Sequence, residues 1–241
     1  FFAGLLAPWG ATTIGWRPTF LVIGALLLAG VPVLLRVVPV DPPIDTDQTE
    51  TGGKLPVGIW WVTVYGSLLG FAGSATFLLP LFVEESLDQS PQVAGLAAAL
   101  LGGVAILGRL EWARVAERQA TTAPALAVLA GLSVAAIAFM LIAITFGIGW
   151  MWIGVVVLGL SSSSWTSVAA IAVIGIAGAS AAGRASGLVW FGFLGGLGLG
   201  PPLFGFTVDQ TGSYATMWWL ALGAHALAVA VALTWMRSST R

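Results

Sequence analysis

Apolar runs long enough to cross a bilayer recur along this chain, at about residues 18–38, 56–82, 92–108, 122–146, 150–176, 185–208 and 214–236. A bilayer-spanning helix needs about 20 mostly apolar residues. The runs are continuous and lack the every-second-residue alternation of a barrel strand, so they predict helices. Only 8% of the residues are charged against 58% hydrophobic, and the mean hydropathy is +0.98. A soluble domain carries roughly a quarter charged residues. The chain therefore predicts an all-α integral membrane protein with seven full transmembrane helices. Residues 1–14, beginning FFAGLLAPWG, are too short to span and read as the end of an earlier helix.

The basic residues support this division. With alternate connections on opposite sides, Arg36, Lys54, Arg109, Arg114, Arg118, Arg184, Arg237 and Arg241 share one side, and Arg17 lies on the other. Positive residues concentrate on the cytoplasmic side. That bias predicts a cytoplasmic C-terminus and a cytoplasmic linker, VDPPIDTDQTETGGK at 40–54. The outer connections carry Glu84, Glu85, Asp88 and Asp209. The multi-pass protein is expected in the cell (inner) membrane. With no cysteine and one histidine, neither a metal nor another cofactor is expected, and no basic patch suggests nucleic acid.

One span holds an oddity. Ser161-Ser162-Ser163-Ser164-Trp165-Thr166-Ser167 lies in the middle of 150–176. A turn there would leave pieces of about 11 residues, each too short to cross. The run is therefore expected to be helical, near the bilayer midplane, with hydroxyls bonding back to carbonyls one turn earlier.

The last pair of helices repeats the first. AGLLAP (3–8) and GLGLGP (196–201) share a small-xxx-small-Pro pattern, and each leads through an outer turn into a Leu/Ala/Val helix ending in arginine. GRLEWARVAER (108–118), GRASGLVWFGFLGGLGLGPPLFGFTVDQTGSY (183–214) and GWRPTF (15–20) then carry a resemblance. They are similar to the loop between helices eight and nine, to helix eleven with its outer turn, and to the turn into helix six of the major facilitator superfamily. Ala113, Ala120 and Thr121 depart from that loop's glycine and basic positions.

The resemblance implies a secondary transporter of a small organic solute, working by alternating access and coupled to protons, rather than an enzyme. Residues 1–38 would be the end of helix five and helix six of the N-terminal bundle, and 39–55 the central cytoplasmic linker. Residues 56–236 would be the C-terminal six-helix bundle, and 237–241 a cytoplasmic tail. The partners would be the substrate, the lipid bilayer, the coupling ion and the remaining N-terminal half. A seven-helix receptor or photoreceptor is the alternative. It would share the topology, but the only lysine, Lys54, is in a loop and cannot form a retinal Schiff base in the last helix.

Thr63, Ser67, Phe71 and Ser74 share one face of helix 56–82, a mixed hydroxyl and aromatic stripe suited to lining a substrate cavity. Ser161, Ser164, Trp165, Trp190 and Phe193 are further cavity candidates. Gly192, Gly196 and Gly200 form a stripe for close helix approach. Arg109, Arg114, Glu117 and Arg118 are the candidate cytoplasmic gate, with Glu117 pairing to Arg114 or Arg118. His225 sits near the middle of the last span and is a candidate proton site. No charged residue is expected deep in any span.

Overall fold

The computed structural model describes residue 10 and residues 13–37 and 53–239. Most of the expected N-terminal part-helix, most of the linker and the last two residues lie outside that range. The described residues form α1 (Trp16–Val37), α2 (Val57–Ser86), α3 (Pro91–Glu117), α4 (Ala123–Phe146), α5 (Ile148–Leu160), α6 (Trp165–Thr211) and α7 (Tyr214–Ser239). The predicted all-α membrane fold is what the chain adopts.

Local chemistry sets the ends. Ser90 accepts a bond from the Val93 amide and Pro91 follows it, so α3 starts there. Pro80 lacks the amide an α-helix needs, and around it α2 tightens to a 3-10 turn at Ser74–Leu78 and widens to a π turn at Phe82–Ser86. Gly212, at φ 63°, closes α6 with its amide on the Val208 carbonyl, 2.7 Å away.

From Ile148 to Thr211 is 64 residues, a rod of about 96 Å if it were one straight helix, some three times the hydrocarbon thickness. It is instead two crossings. Gly178 has φ 70° and ψ 170°, a conformation essentially reserved for glycine. Before it, Trp165 lies against Gly66 and Ile176 against Gly58, so residues 165–177 run opposite to α2. After it, Gly192 meets Ser67 and Gly200 meets Ser74, so residues 179–211 run alongside α2 in the same direction. The expected separation of these two spans therefore holds, with α6 turning back at Gly178.

Two expectations are corrected. Residues 108–117 belong to helix α3, and only Arg118 of the four gate residues falls in the turn after it. Arg109 thus sits about two turns inside the end of that helix. The serine run is not helical. Ser161–Ser164 form a turn between α5 and α6, so one crossing is discontinuous.

The interior divides into two apolar clusters. One gathers Ile59, Tyr65, Leu69, Leu126, Leu129, Trp165 and Val168 toward the arginine-rich end. The other gathers Leu79, Phe82, Ile137, Met140, Met151, Phe204 and Trp218 toward the end bearing Glu84 and Glu85. Between them lie Ser133, Ser161, Ser162, Ser164 and His225, all buried. Ser133 and His225 each fall near the middle of their helices. The serine turn is at mid-height of the molecule, between the two clusters.

Candidate functional site

A broken helix inside a bilayer strands carbonyls that water would otherwise satisfy. Here the chain supplies a partner for each carbonyl from Val157 to Leu160. Ser161 Oγ donates to the Val157 carbonyl at 2.6 Å and Ser164 Oγ to that of Gly159 at 2.8 Å. The Leu158 carbonyl accepts from the Ser161 and Ser163 amides, both at 3.3 Å. From α3, Trp112 Nε1 donates to the Leu160 carbonyl at 2.8 Å, and Arg109 Nε to the Ser163 carbonyl at 3.0 Å. The guanidinium therefore lies at the C-terminal end of α5, where a helix favours positive charge. Hydroxyls too short to reach far, together with two long donors from α3, make a mid-membrane turn tenable.

The turn is also tied to α4 and α7. Ser133 Oγ stands 3.1 Å from Ser161 Oγ, and His225 Nε2 stands 3.0 Å from Ser162 Oγ. His225 Nδ1 is 2.8 Å from the Ala221 carbonyl, which only accepts, so Nδ1 carries the proton. In the neutral ring Nε2 then accepts from Ser162. Both ring nitrogens are committed, and no acid stands at this height among the described residues.

The expected cavity stripe on α2 meets a different surface. Thr63 Oγ1 bonds to the Ile59 carbonyl at 2.8 Å, Ser67 Oγ to that of Thr63 at 2.9 Å, and Ser74 Oγ to that of Phe71 at 2.7 Å. Their face packs on Gly192, Gly196 and Gly200 of α6. A Cβ at Gly196 would lie 2.1 Å from the Ser67 carbonyl oxygen, and one at Gly70 would lie 2.1 Å from that of Phe193. Phe71 packs against Phe204 at 4.8 Å between ring centres. The glycines bring two backbones together, as their spacing predicted, and the hydroxyl stripe is the other side of that seam.

The aromatic candidates do converge. Trp165 packs on Tyr65 at 5.9 Å and on Phe193 at 5.3 Å, and Trp190 stands edge-on to Phe193 at 5.4 Å. Trp165 is buried, whereas Trp190 is 47% exposed. Between them, where the two arms of α6 face each other, is a small cleft of about 50 Å³. Thr166 and Ser186 line it beside the two tryptophans. Ser161 and Ser164 lie fully buried in the turn and away from this cleft. Sequence reading passed over Thr166, Ser186, Ser133, Ser162 and Trp112. Only their meeting in space marks them.

At the arginine-rich end, Arg114 pairs with Glu111, a turn earlier on α3, and not with Glu117. Glu117 ends α3 with no ionic partner among the described residues.

The sequence profile of the Major Facilitator Superfamily matches residues 1–201. The chain belongs to this superfamily. No curated protein matches it. Among solved structures, it is similar to the Escherichia coli fucose:proton symporter FucP, with a TM-score of 0.59 and 18% identity over 94% of this chain and 55% of that one. At that identity the likeness is one of fold. The chain spans about half the length of that relative. Membership in the major facilitator superfamily, with its several membrane-crossing helices, makes this a multi-pass membrane protein. It also sets the receptor alternative aside.

Proposed function

We propose that the protein is a secondary active transporter that carries a small organic solute by alternating access, coupled to protons. The observation that carries the reading is the interruption of one crossing at mid-height by a buried polar turn, one step from an aromatic cleft. Secondary transporters build their sites from discontinuous helices near the midplane. Membership in the superfamily supports the transport class, and the likeness to a proton symporter supports the coupling ion.

In this reading residues 56–236 form the C-terminal bundle, and α1 belongs to an N-terminal bundle that faces it. The exposed Phe20, Leu21, Leu28 and Leu35 of α1 agree with a helix whose partners lie elsewhere. The arginine asymmetry supports a cytoplasmic side for residues 39–55 and 237–241 and a place in the cell (inner) membrane. Trp165, Trp190 and Phe193 contact the solute, with Thr166 and Ser186 supplying hydroxyls. Thr63, Ser67, Phe71 and Ser74 hold the wall behind them, and Ser161 and Ser164 hold the turn. Arg109, Arg114, Glu117 and Arg118 form the inner gate, with Arg109 linking it to the turn.

The test is reconstitution of the full-length protein in vesicles enclosing a pH-sensitive dye, challenged with a broad panel of neutral and amphipathic solutes. Solute-dependent proton flux is expected, and none across the panel would overturn the reading. Substituting Trp190 by alanine should raise the half-saturating solute concentration about two- to tenfold, since an aromatic contact is worth about 0.5–1.5 kcal/mol beyond its area burial.

His225 gives a sharper question. Carrying the coupling proton would require Nε2 to switch from accepting to donating toward Ser162. Since both ring nitrogens already hold neutral partners, His225→Gln is expected to keep uptake dependent on the pH gradient. Loss of that dependence with solute exchange intact would assign the proton to His225.

A further inference from the structure

The arginine-rich end of the six-helix assembly holds a second, larger cavity, separate from the aromatic cleft. Its volume is about 580 Å³, within the roughly 300–1,000 Å³ range of small-molecule sites. It is formed by the ends of α2, α3, α4 and α7 and by residues 171–176 of α6. Its floor is apolar, from Ile171, Ile176, Trp235 and Met236. Among the described residues Glu117 is the only charged one that lines it, and Gln119 and Thr121 add polar atoms. Arg118 and Arg237 adjoin lining residues in sequence but do not line it.

We propose that this cavity is a binding site for an amphipathic organic cation. Two features set the charge. The Glu117 carboxylate has no ionic partner among the described residues, because Arg114 is taken by Glu111. Trp235, in the floor, carries an aromatic ring of the kind that attracts cations. The apolar floor takes an aliphatic or aromatic tail.

The site is distinct from the solute site proposed above, so the two can fail separately. The probe is decyltrimethylammonium carrying a diazirine in its tail, photolysed on the protein in lipid nanodiscs and mapped by peptide mass spectrometry. Label is expected on residues 116–124, 171–176 and 235–236. Excess unlabelled decyltrimethylammonium should displace it, and decyl sulfate should not. Glu117→Gln is expected to weaken that displacement about tenfold, the value of a charge-assisted contact, and Glu117→Asp to restore much of it. A Cβ at Gly175 meets nothing within 4 Å, so Gly175→Leu can fill the cavity without a clash at the backbone and should block labelling. Label scattered over lipid-facing helices would overturn the proposal. So would equal displacement by decyl sulfate, which would make this a site for acyl tails of any charge, or indifference to Glu117→Gln.

Discussion

Gly196→Ala should cost about 3 kcal/mol of stability, the upper end of what overpacking a tight contact costs. The added methyl would sit 2.1 Å from the Ser67 carbonyl oxygen and 2.8 Å from the Phe71 amide nitrogen. Both are backbone atoms of α2, so no side chain can rotate away. Relief requires α6 to withdraw along the whole seam, which also opens the contacts at Gly192, Gly200 and Gly70. Gly195→Ala is the control, because a Cβ there meets nothing within 4 Å. It removes a helix-interior glycine and should leave stability unchanged or raise it by as much as about 1 kcal/mol. Thermal unfolding of the two variants in the same detergent checks the pair. Equal melting temperatures would mean that the seam is looser than the structure has it.

Trp112→Phe is expected to loosen the serine turn while keeping an aromatic ring at this place. The substitution leaves a smaller ring and removes Nε1–H, so the Leu160 carbonyl loses its 2.8 Å donor. Within a bilayer, an acceptor left unpaired away from water costs about 1–3 kcal/mol. Hydrogen exchange resolved to peptides should show the amides of residues 161–168 opening about 10- to 100-fold faster. Peptides in the middle of α4 should be unchanged. Arg109→Met should act on the same amides through the Ser163 carbonyl, and the two substitutions together should be more than additive, because both act on one turn. If the exchange of residues 161–168 stays at its original rate in both variants, the donors from α3 do not hold the break.

What could be read in advance follows from range. Spans, membrane class and the glycine stripe rest on composition and on spacing within one helix, and these are local. The stripe at Gly192, Gly196 and Gly200 reads directly because a period of four keeps one face on an α-helix. The serine run misled for the opposite reason. Length argued against a turn, since each piece is too short to cross. The argument fails because two short helices in series cross together when donors from elsewhere satisfy the break. Those donors, Trp112 and Arg109, lie about fifty residues away in sequence, so nothing near the run announces them. The stripe of Thr63, Ser67, Phe71 and Ser74 shows the same limit. A face of hydroxyls is visible in the sequence, and its opposite surface is not.

The buried serines have a mechanical consequence. Two of the hydroxyls have one proton each but more than one acceptor in reach. Ser133 Oγ lies 2.8 Å from the Leu129 carbonyl and 3.1 Å from Ser161 Oγ, and Ser164 Oγ lies 2.8 Å from the Gly159 carbonyl and 3.5 Å from that of Ala105. A hydroxyl that rotates trades one bond for another, so its own proton stays paired while the turn shifts. The interlocked apolar clusters above and below have no such freedom, because a displaced methyl leaves a void. Strain applied at either end of the molecule would therefore gather at this height. The protein has, in effect, a bearing at its waist, lubricated by hydrogen bonds that serines can exchange.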